Sequence, residues 1–126
     1  MKFEKSRLEP LKLEIGGVQY PIQATFNAMA EFEEHFSMPY QGVLDKLLAQ
    51  DLNARELQFV LFTLLKNGGV ELELEDLNDA DFTIDTLNVM TDALMRANKV
   101  ISILSKLEEI NDLATGGGDD EKKTKA

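Results

Sequence analysis

The chain has 126 residues, no cysteine and a formal net charge of −10. This length predicts one domain, the lack of cysteine excludes disulfides and thiolate-bound zinc, and the acidic balance argues against binding nucleic acid, whose phosphates attract Lys and Arg. The N-terminal residues MKFEKSRLEP lack the apolar core of a signal peptide, and no apolar run approaches the ~20 residues that span a bilayer, so we expect a cytosolic protein without membrane contact.

A β-hairpin is predicted after a mobile arm at residues 1–10. Apolar and polar side chains alternate in Leu11–Ile15 and in Val18–Ile22, on either side of Gly16-Gly17. Glycine tolerates the positive φ of both central turn positions, so this pattern favours a tight antiparallel turn. Pro21 has no N–H for the ladder, which predicts that the second strand presents this position to an open edge.

The first helix is predicted to begin after Thr25, a good N-cap residue. Four apolar residues at helical spacing are expected to form its buried stripe: Phe26, Met29, Phe32 and Phe36. His35 falls near the helix end, where the dipole favours a cation. No second His and no Cys would complete a metal site with Glu31 and His35, so we expect no metal.

A second, shorter helix is expected from about Pro39 to Gln50, because the residue before a proline is pushed out of helical geometry. Gly42 is its weak point. Its predicted buried face consists of four aliphatic residues: Val43, Leu44, Leu47 and Leu48.

The third helix has clear end signals. Asn53 and Glu56 fit a capping box, and Gly68 is expected at the C′ position beyond the last turn. Between them the sequence LQFVLFTLL is apolar almost all round. Either this helix is central to the core, or one of its faces meets another chain.

The segment after the third helix is acidic. Between Lys66 and Arg96 there are eight acidic side chains and no basic one. Most simply this run is a solvated loop and helix start, and the alternative is a docking patch for a basic partner. The alternation in Val70–Leu74 fits either a short strand or an extended connector, of which we favour the connector. The run Asp76–Asp81 lacks the glycine and glutamate positions of a calcium loop.

The last helix is predicted from Thr83 or Ile84 to about Leu113. At ~1.5 Å per residue it would span about 45 Å, whereas a domain of this size has a radius of gyration of about 14 Å. Its distal half must therefore overhang, kink or pack on something outside the domain. A second apolar stripe in that half supplies the candidate partner-binding residues, which we name the distal stripe: Val100, Ile103, Leu107 and Ile110.

Together these elements predict an α+β, mainly α domain over residues 11–113, followed by a disordered tail over residues 114–126. An N-terminal hairpin precedes three to four helices. The expected core combines residues of three helices: Phe26, Met29, Phe32, Val60, Leu61, Leu64, Leu87, Met90 and Leu94.

The order of these features resembles a known family. A short hairpin with a glycine pair at its tip, then the helix sequence Ala28-Met29-Ala30-Glu31-Phe32-Glu33-Glu34, then further helices, is similar to the tail assembly chaperones of long-tailed bacteriophages and the related gene-transfer-agent protein. The resemblance implies a host-cytoplasmic protein, absent from the mature virion. It would bind the tape-measure protein and recruit tail tube protein. Apart from the resemblance, the distal half of the last helix predicts self-association or client binding.

Two further expectations concern the gene and the chemistry. In the family that this chain resembles, ribosomes commonly shift frame near the end of the short form, and the Gly116–Gly118 and Lys122-Lys123 codon runs could supply a slippery site. No catalytic motif or cofactor signature is present, so we expect neither an enzyme nor a cofactor. The alternative functions are an acidic DNA mimic that inhibits a DNA-binding protein and a structural connector of the virion.

Overall fold

The structure, a computed structural model, describes the backbone of residues 10–115 and the side chains of residues 10–99. The hairpin strands are β1 (Leu11–Ile15) and β2 (Val18–Ile22). Four helices follow, with a 3-10 turn at Leu74–Leu77 between the third and the fourth: α1 (Phe26–Phe36), α2 (Tyr40–Leu48), α3 (Ala54–Asn67) and α4 (Ile84–Thr115). The predicted α+β, mainly α architecture is confirmed. The predicted N-terminal arm, apart from Pro10, and nearly all of the predicted C-terminal tail lie outside the described residues.

The hairpin is antiparallel and places one face on the core. Its turn residues Gly16 and Gly17 have φ of 60° and 83°, and Leu13 and Ile22 are buried. Among the described residues no strand other than β1 pairs with β2, so Pro21 lies on an edge strand as predicted. The backbone N–H of Gln23 donates to the carbonyl oxygen of Leu64 at 3.1 Å, so the end of α3 covers this edge of β2.

Helix α1 begins as predicted, with the Thr25 hydroxyl accepting a hydrogen bond from the backbone N–H of Ala28 at 3.1 Å. Ala28 and Phe32 are fully buried, whereas Phe26 is 85% exposed. Our placement of Phe26 in the core was therefore wrong. Six residues at ~100° each put Phe26 about 120° around the helix from Phe32, away from the buried face.

Helix α2 is shorter than expected and its buried face is shifted. Tyr40, Val43, Leu44 and Leu47 are buried, whereas Leu48 is 52% exposed. The prediction for Leu48 was wrong, because this residue lies about 80° around the helix from Tyr40, at the end of the last turn.

Helix α3 is the centre of the fold, as the first of our two alternatives predicted. It packs against α1, β2, the 3-10 turn and α4. The capping box is confirmed, since Asn53 and Glu56 exchange side-chain-to-backbone hydrogen bonds of 2.9 Å each. Val60, Leu64 and Leu65 are buried along the helix.

The C-terminal end of α3 differs in detail from the prediction. Gly68 has a helical φ of −82°, and Gly69, with φ of 104°, adopts the left-handed conformation expected of a C′ residue. Gly68 is needed for a different reason. A Cβ atom there would overlap the backbone carbonyl of Pro21, so the lack of a side chain lets α3 approach the hairpin.

Residues 70–74 form no strand; among the described residues the hairpin is the only sheet. This confirms the connector that we favoured. Val70, Leu72 and Leu77 are half-buried and pack on the core, whereas the intervening Glu71 and Glu73 are exposed. The alternation therefore reflects a chain lying along the core with every second side chain turned inward.

Helix α4 starts with a side-chain cap, in which the Thr83 hydroxyl accepts from the backbone N–H of Thr86 at 3.1 Å. Met90, Ala93 and Leu94 are buried. The described apolar side chains that pack on the core extend to Ala97. The helix continues to Thr115, close to its predicted end.

Candidate partner-binding surfaces

Four residues of the α1 segment Ala28–Glu34, on which the family resemblance rests, are buried or make contacts between helices. Ala28 and Phe32 are fully buried in the core. Glu31 binds Lys66 on α3, with 2.6 Å between Oε2 and Nζ. Glu33 accepts a hydrogen bond of 2.9 Å from the backbone N–H of Tyr40, the first residue of α2. The motif on α1 thus sets where α2 and α3 sit.

A polar network around Asn67 ties α1 to the end of α3. The Asn67 side-chain oxygen accepts from the Thr25 hydroxyl and from the Asn27 amide, both at 2.9 Å. Its amide nitrogen donates to Glu31 at 3.1 Å and to the Thr63 carbonyl at 2.8 Å. Every hydrogen-bonding atom of this buried amide therefore has a partner, so the network is rigid.

The same network sets the charge state of Glu31. Burial by itself would raise the pKa of this carboxyl group. The hydrogen bonds from Lys66 and Asn67, together with the positive charge of Lys66, outweigh burial and hold the pKa of Glu31 below its ordinary value. Glu31 is therefore a charged structural anchor.

An aromatic cluster covers the outer side of α3. The exposed His35 ring, in the last turn of α1 as expected, stacks on Phe59 with 3.7 Å between centroids and 10° between planes. Phe32 and Phe36 meet the same ring edge-on. Behind the cluster, the Tyr40 hydroxyl donates to the Leu94 carbonyl at 2.7 Å, and burial raises the pKa of this phenol. Packing of these rings against Phe59 within the domain explains why an aromatic residue stands at this position.

A groove opens beside the first half of α3, and we call it the Phe82 groove. It has a volume of about 390 Å³ and lies between the first half of α3 and the segment that leads to α4. Phe82 is 51% exposed at its rim. The apolar lining residues are Ala54, Leu57, Leu61, Leu77, Ala80 and Phe82.

Polar side chains at one end of the Phe82 groove join its two walls. Gln58 on α3 donates to the Leu74 carbonyl at 3.0 Å and to the Asn78 side chain at 2.8 Å. The Arg55 guanidinium donates to the same Asn78 oxygen at 2.8 Å and to Gln58 at 2.6 Å. We call these three side chains the bracket, because they fasten the segment between α3 and α4 to α3. From here on, the connector means this whole segment, residues 68–83.

The acidic run predicted from the sequence lies on this connector and at the start of α4. Four exposed aspartates lie between the third residue of the 3-10 turn and the first turn of α4, close to Phe82 in the chain. One of them, Asp81, lines the groove itself. The side chains at Asp76, Asp79, Asp81 and Asp85 are all exposed.

The distal stripe lies on helical backbone within α4. The side chains of Val100, Ile103, Leu107 and Ile110 lie outside the described residues, so the expectation that they bind a partner stays a prediction.

Two other expectations concern metals and membranes. Within residues 10–99, no group of three His, Asp or Glu side chains is placed to hold a metal ion. No helix in the described part of the chain is long and apolar enough to cross a bilayer.

Sequence reasoning missed the Phe82 groove and the Asn67 network. The sequence shows only that Phe82 and Ile84 interrupt an acidic run, and the fold is needed to show that they are 51% and 70% exposed. No comparable signal marked Asn67, whose polar partners come from a helix about 40 residues earlier in the chain.

Comparisons with known proteins returned no family model, no curated protein and no solved structure that matches the chain.

Proposed function

We propose that the protein is a tail assembly chaperone of a long-tailed phage, which holds the tape-measure protein soluble until tail tube protein assembles around it. The support starts with the layout. The hairpin leads directly into α1, and the residues of the resembling motif, including Glu31 and Glu33, position α2 and α3. The similar residues therefore support a similar layout of hairpin and helices, because they are the ones that pack these elements together.

The observation that carries the proposal is the length of α4. The helix runs over 32 residues, Ile84–Thr115. At ~1.5 Å per residue it spans about 48 Å, whereas a domain of this size has a radius of gyration of about 14 Å. The sequence of its second half contains the distal stripe, an apolar pattern of the kind that packs against another helix.

The charge of the protein suits a holding role. A net charge of −10 keeps a complex with an apolar client from aggregating, because like-charged particles repel one another. The client that the proposal names, a long and mainly helical protein, offers the elongated apolar faces that a helix such as α4 can cover.

A pull-down from infected or co-expressing cells tests the proposal. We expect recovery of a long α-helical client. Recovery of a DNA-binding enzyme in its place would support the DNA-mimic alternative, and recovery of an assembled particle would support a virion connector.

The gene provides an independent test. The codons from Ala114 to Ala126 should contain a run of repeated bases at which ribosomes slip, with an overlapping downstream frame and a gene for a long helical protein beyond it. A coding sequence with neither feature would weaken the assignment, although a chaperone without a frameshift would still bind its client in the pull-down.

A further inference from the structure

The Phe82 groove has the size and lining of a binding site. Its volume of about 390 Å³ lies within the ~300–1,000 Å³ of typical ligand pockets, which are mainly apolar with a few placed polar groups. Leu61 at its base is buried, whereas Phe82 at its rim is half exposed. The groove therefore has an apolar floor and an apolar side chain available for contact.

The groove is preformed. The bracket of Arg55, Gln58 and Asn78 joins α3 to the connector through hydrogen bonds of 2.6–3.0 Å. Helix α3, which forms one wall, packs against α1, β2, the 3-10 turn and α4. A partner would therefore meet walls that are already in position and would lose less entropy on binding than one that must order a loop.

The surroundings of the groove select for positive charge. Asp81 lines the groove, and the exposed Asp79 and Asp85 lie within three residues of its lining residues in the chain. Neither the Lys46–Asp51 nor the Lys66–Glu31 ion pair involves these carboxylates. Arg55 is the one cation that lines the groove, and its hydrogen bonds to the neutral amides of Gln58 and Asn78 leave its charge in place. Three exposed carboxylates against this one cation give the rim a net negative charge, which complements Lys and Arg.

We propose that the Phe82 groove binds a basic amphipathic segment of a partner protein, with aliphatic side chains on Leu57, Leu61 and Phe82 and with Lys or Arg against Asp79, Asp81 and Asp85. This surface is separate from the distal stripe. Val100 follows Ile84 by 16 residues, or about 24 Å along α4. The inference therefore goes beyond the proposed function and does not depend on it.

The test is an NMR titration of the full chain with a synthetic helical peptide of about 14 residues, which has Leu on one face and Lys on the other. A peptide with Glu in place of each Lys is the control. We expect the Lys peptide to shift the amide signals of Leu57, Leu77 and Phe82, to bind about tenfold more tightly than the Glu peptide, and to weaken with added salt.

Substitutions locate the contact. Phe82→Ser should weaken binding about tenfold, and so should the double charge reversal Asp81→Lys with Asp85→Lys. Phe26→Ser is the matched control, because Phe26 is 85% exposed but does not line the groove. Retained dispersion of the amide signals would show that each variant is folded.

Five results would overturn the proposal. The shifts could fall outside the groove, the Glu peptide could bind equally well, or Phe26→Ser could weaken binding as much as Phe82→Ser. In the free protein, groove signals that change with protein concentration, or on deletion of residues 1–9, would assign the groove to a second copy or to the chain's own N-terminal segment.

Discussion

Asn67 joins α1 and α3 through a single amide. Its oxygen accepts two hydrogen bonds and its nitrogen donates two, and the residue is 7% exposed. The hydrogen bonds of a buried amide add little net stability, because they replace bonds to water. Removing the amide costs more, because its buried partners are left without a hydrogen bond. At the residue scale, the fold therefore depends on polar matching as well as on apolar burial.

Asn67→Ala should lower the free energy of unfolding by about 1–3 kcal/mol, because the Thr25 hydroxyl and the Glu31 carboxylate lose a partner in a half-buried setting. Urea denaturation measures the change. Asn27→Ala, which removes an exposed member of the same network, should cost within about 0.5 kcal/mol. Equal losses in both variants would mean that burial of the amide does not decide its contribution.

Glu31 gives the fold a predictable dependence on pH. Its pKa in the folded protein lies below the ordinary value of 4.5, so its charged form stabilises the fold above that pH. The stabilisation is lost as the pH falls through the lower, folded-state pKa. The difference in unfolding free energy between the wild type and Glu31→Gln should therefore be largest near neutral pH and shrink in acid.

Denaturant titrations at several pH values check this expectation. The control for the loss of one charge is Glu34→Gln, on the exposed side of the same helix. A difference between wild type and Glu31→Gln that stays constant from neutral to acid pH would show that the carboxylate of Glu31 is not stabilised by Lys66 and Asn67.

Helix α1 shows how far a pattern along one element predicts burial. Spacings of three and four residues placed Phe26, Met29 and Phe32 on one stripe, but the true buried face is centred on Ala28 and Phe32. Periodicity defines a wide face and does not identify its centre, which is set by the elements that pack against it. The capping box of α3 was predictable because its two residues, Asn53 and Glu56, are only three positions apart in the sequence.

Phe32→Ala and Phe26→Ala compare the same change at two positions of α1. Phe32 is fully buried and Phe26 is 85% exposed. We expect Phe32→Ala to lower the unfolding free energy by about 3–5 kcal/mol and Phe26→Ala to change it by less than about 0.5 kcal/mol. Thermal or urea unfolding measures both. A large loss of unfolding free energy in Phe26→Ala would mean that Phe26 belongs to the core.

Two glycine-to-alanine substitutions should have opposite effects. At Gly68 the new Cβ would lie 2.8 Å from the carbonyl carbon of Pro21, so α3 and the hairpin must separate at a cost of about 1–3 kcal/mol. At Gly42 the nearest atom is the flexible Met38 sulfur at 3.1 Å, and alanine is favoured within a helix by roughly 0.5–1 kcal/mol. Melting temperatures show whether each variant is more or less stable than the wild type. A Gly68→Ala variant as stable as the wild type would refute the close approach of α3 to the hairpin.

At the scale of the whole molecule, the sequence predicted the order of elements because hairpin, caps and connector are each encoded within a few residues. The packing of α3 at the centre could be stated only as one of two alternatives, since an all-round apolar helix fits either a core or an interface. The Phe82 groove could not be predicted, because it forms between Leu57 and Phe82, residues far apart in the chain.

We propose that the protein holds an elongated helical client through the distal stripe of α4. The most direct test measures the soluble fraction of the tape-measure protein expressed with and without this chain. We expect the wild type to raise that fraction, the double variant Ile103→Asp with Ile110→Asp to lose the effect while staying folded, and Ser102→Asp, which adds charge outside the stripe, to retain it. A tape-measure protein that is equally soluble with and without the chain, or a double variant as effective as the wild type, would contradict the account.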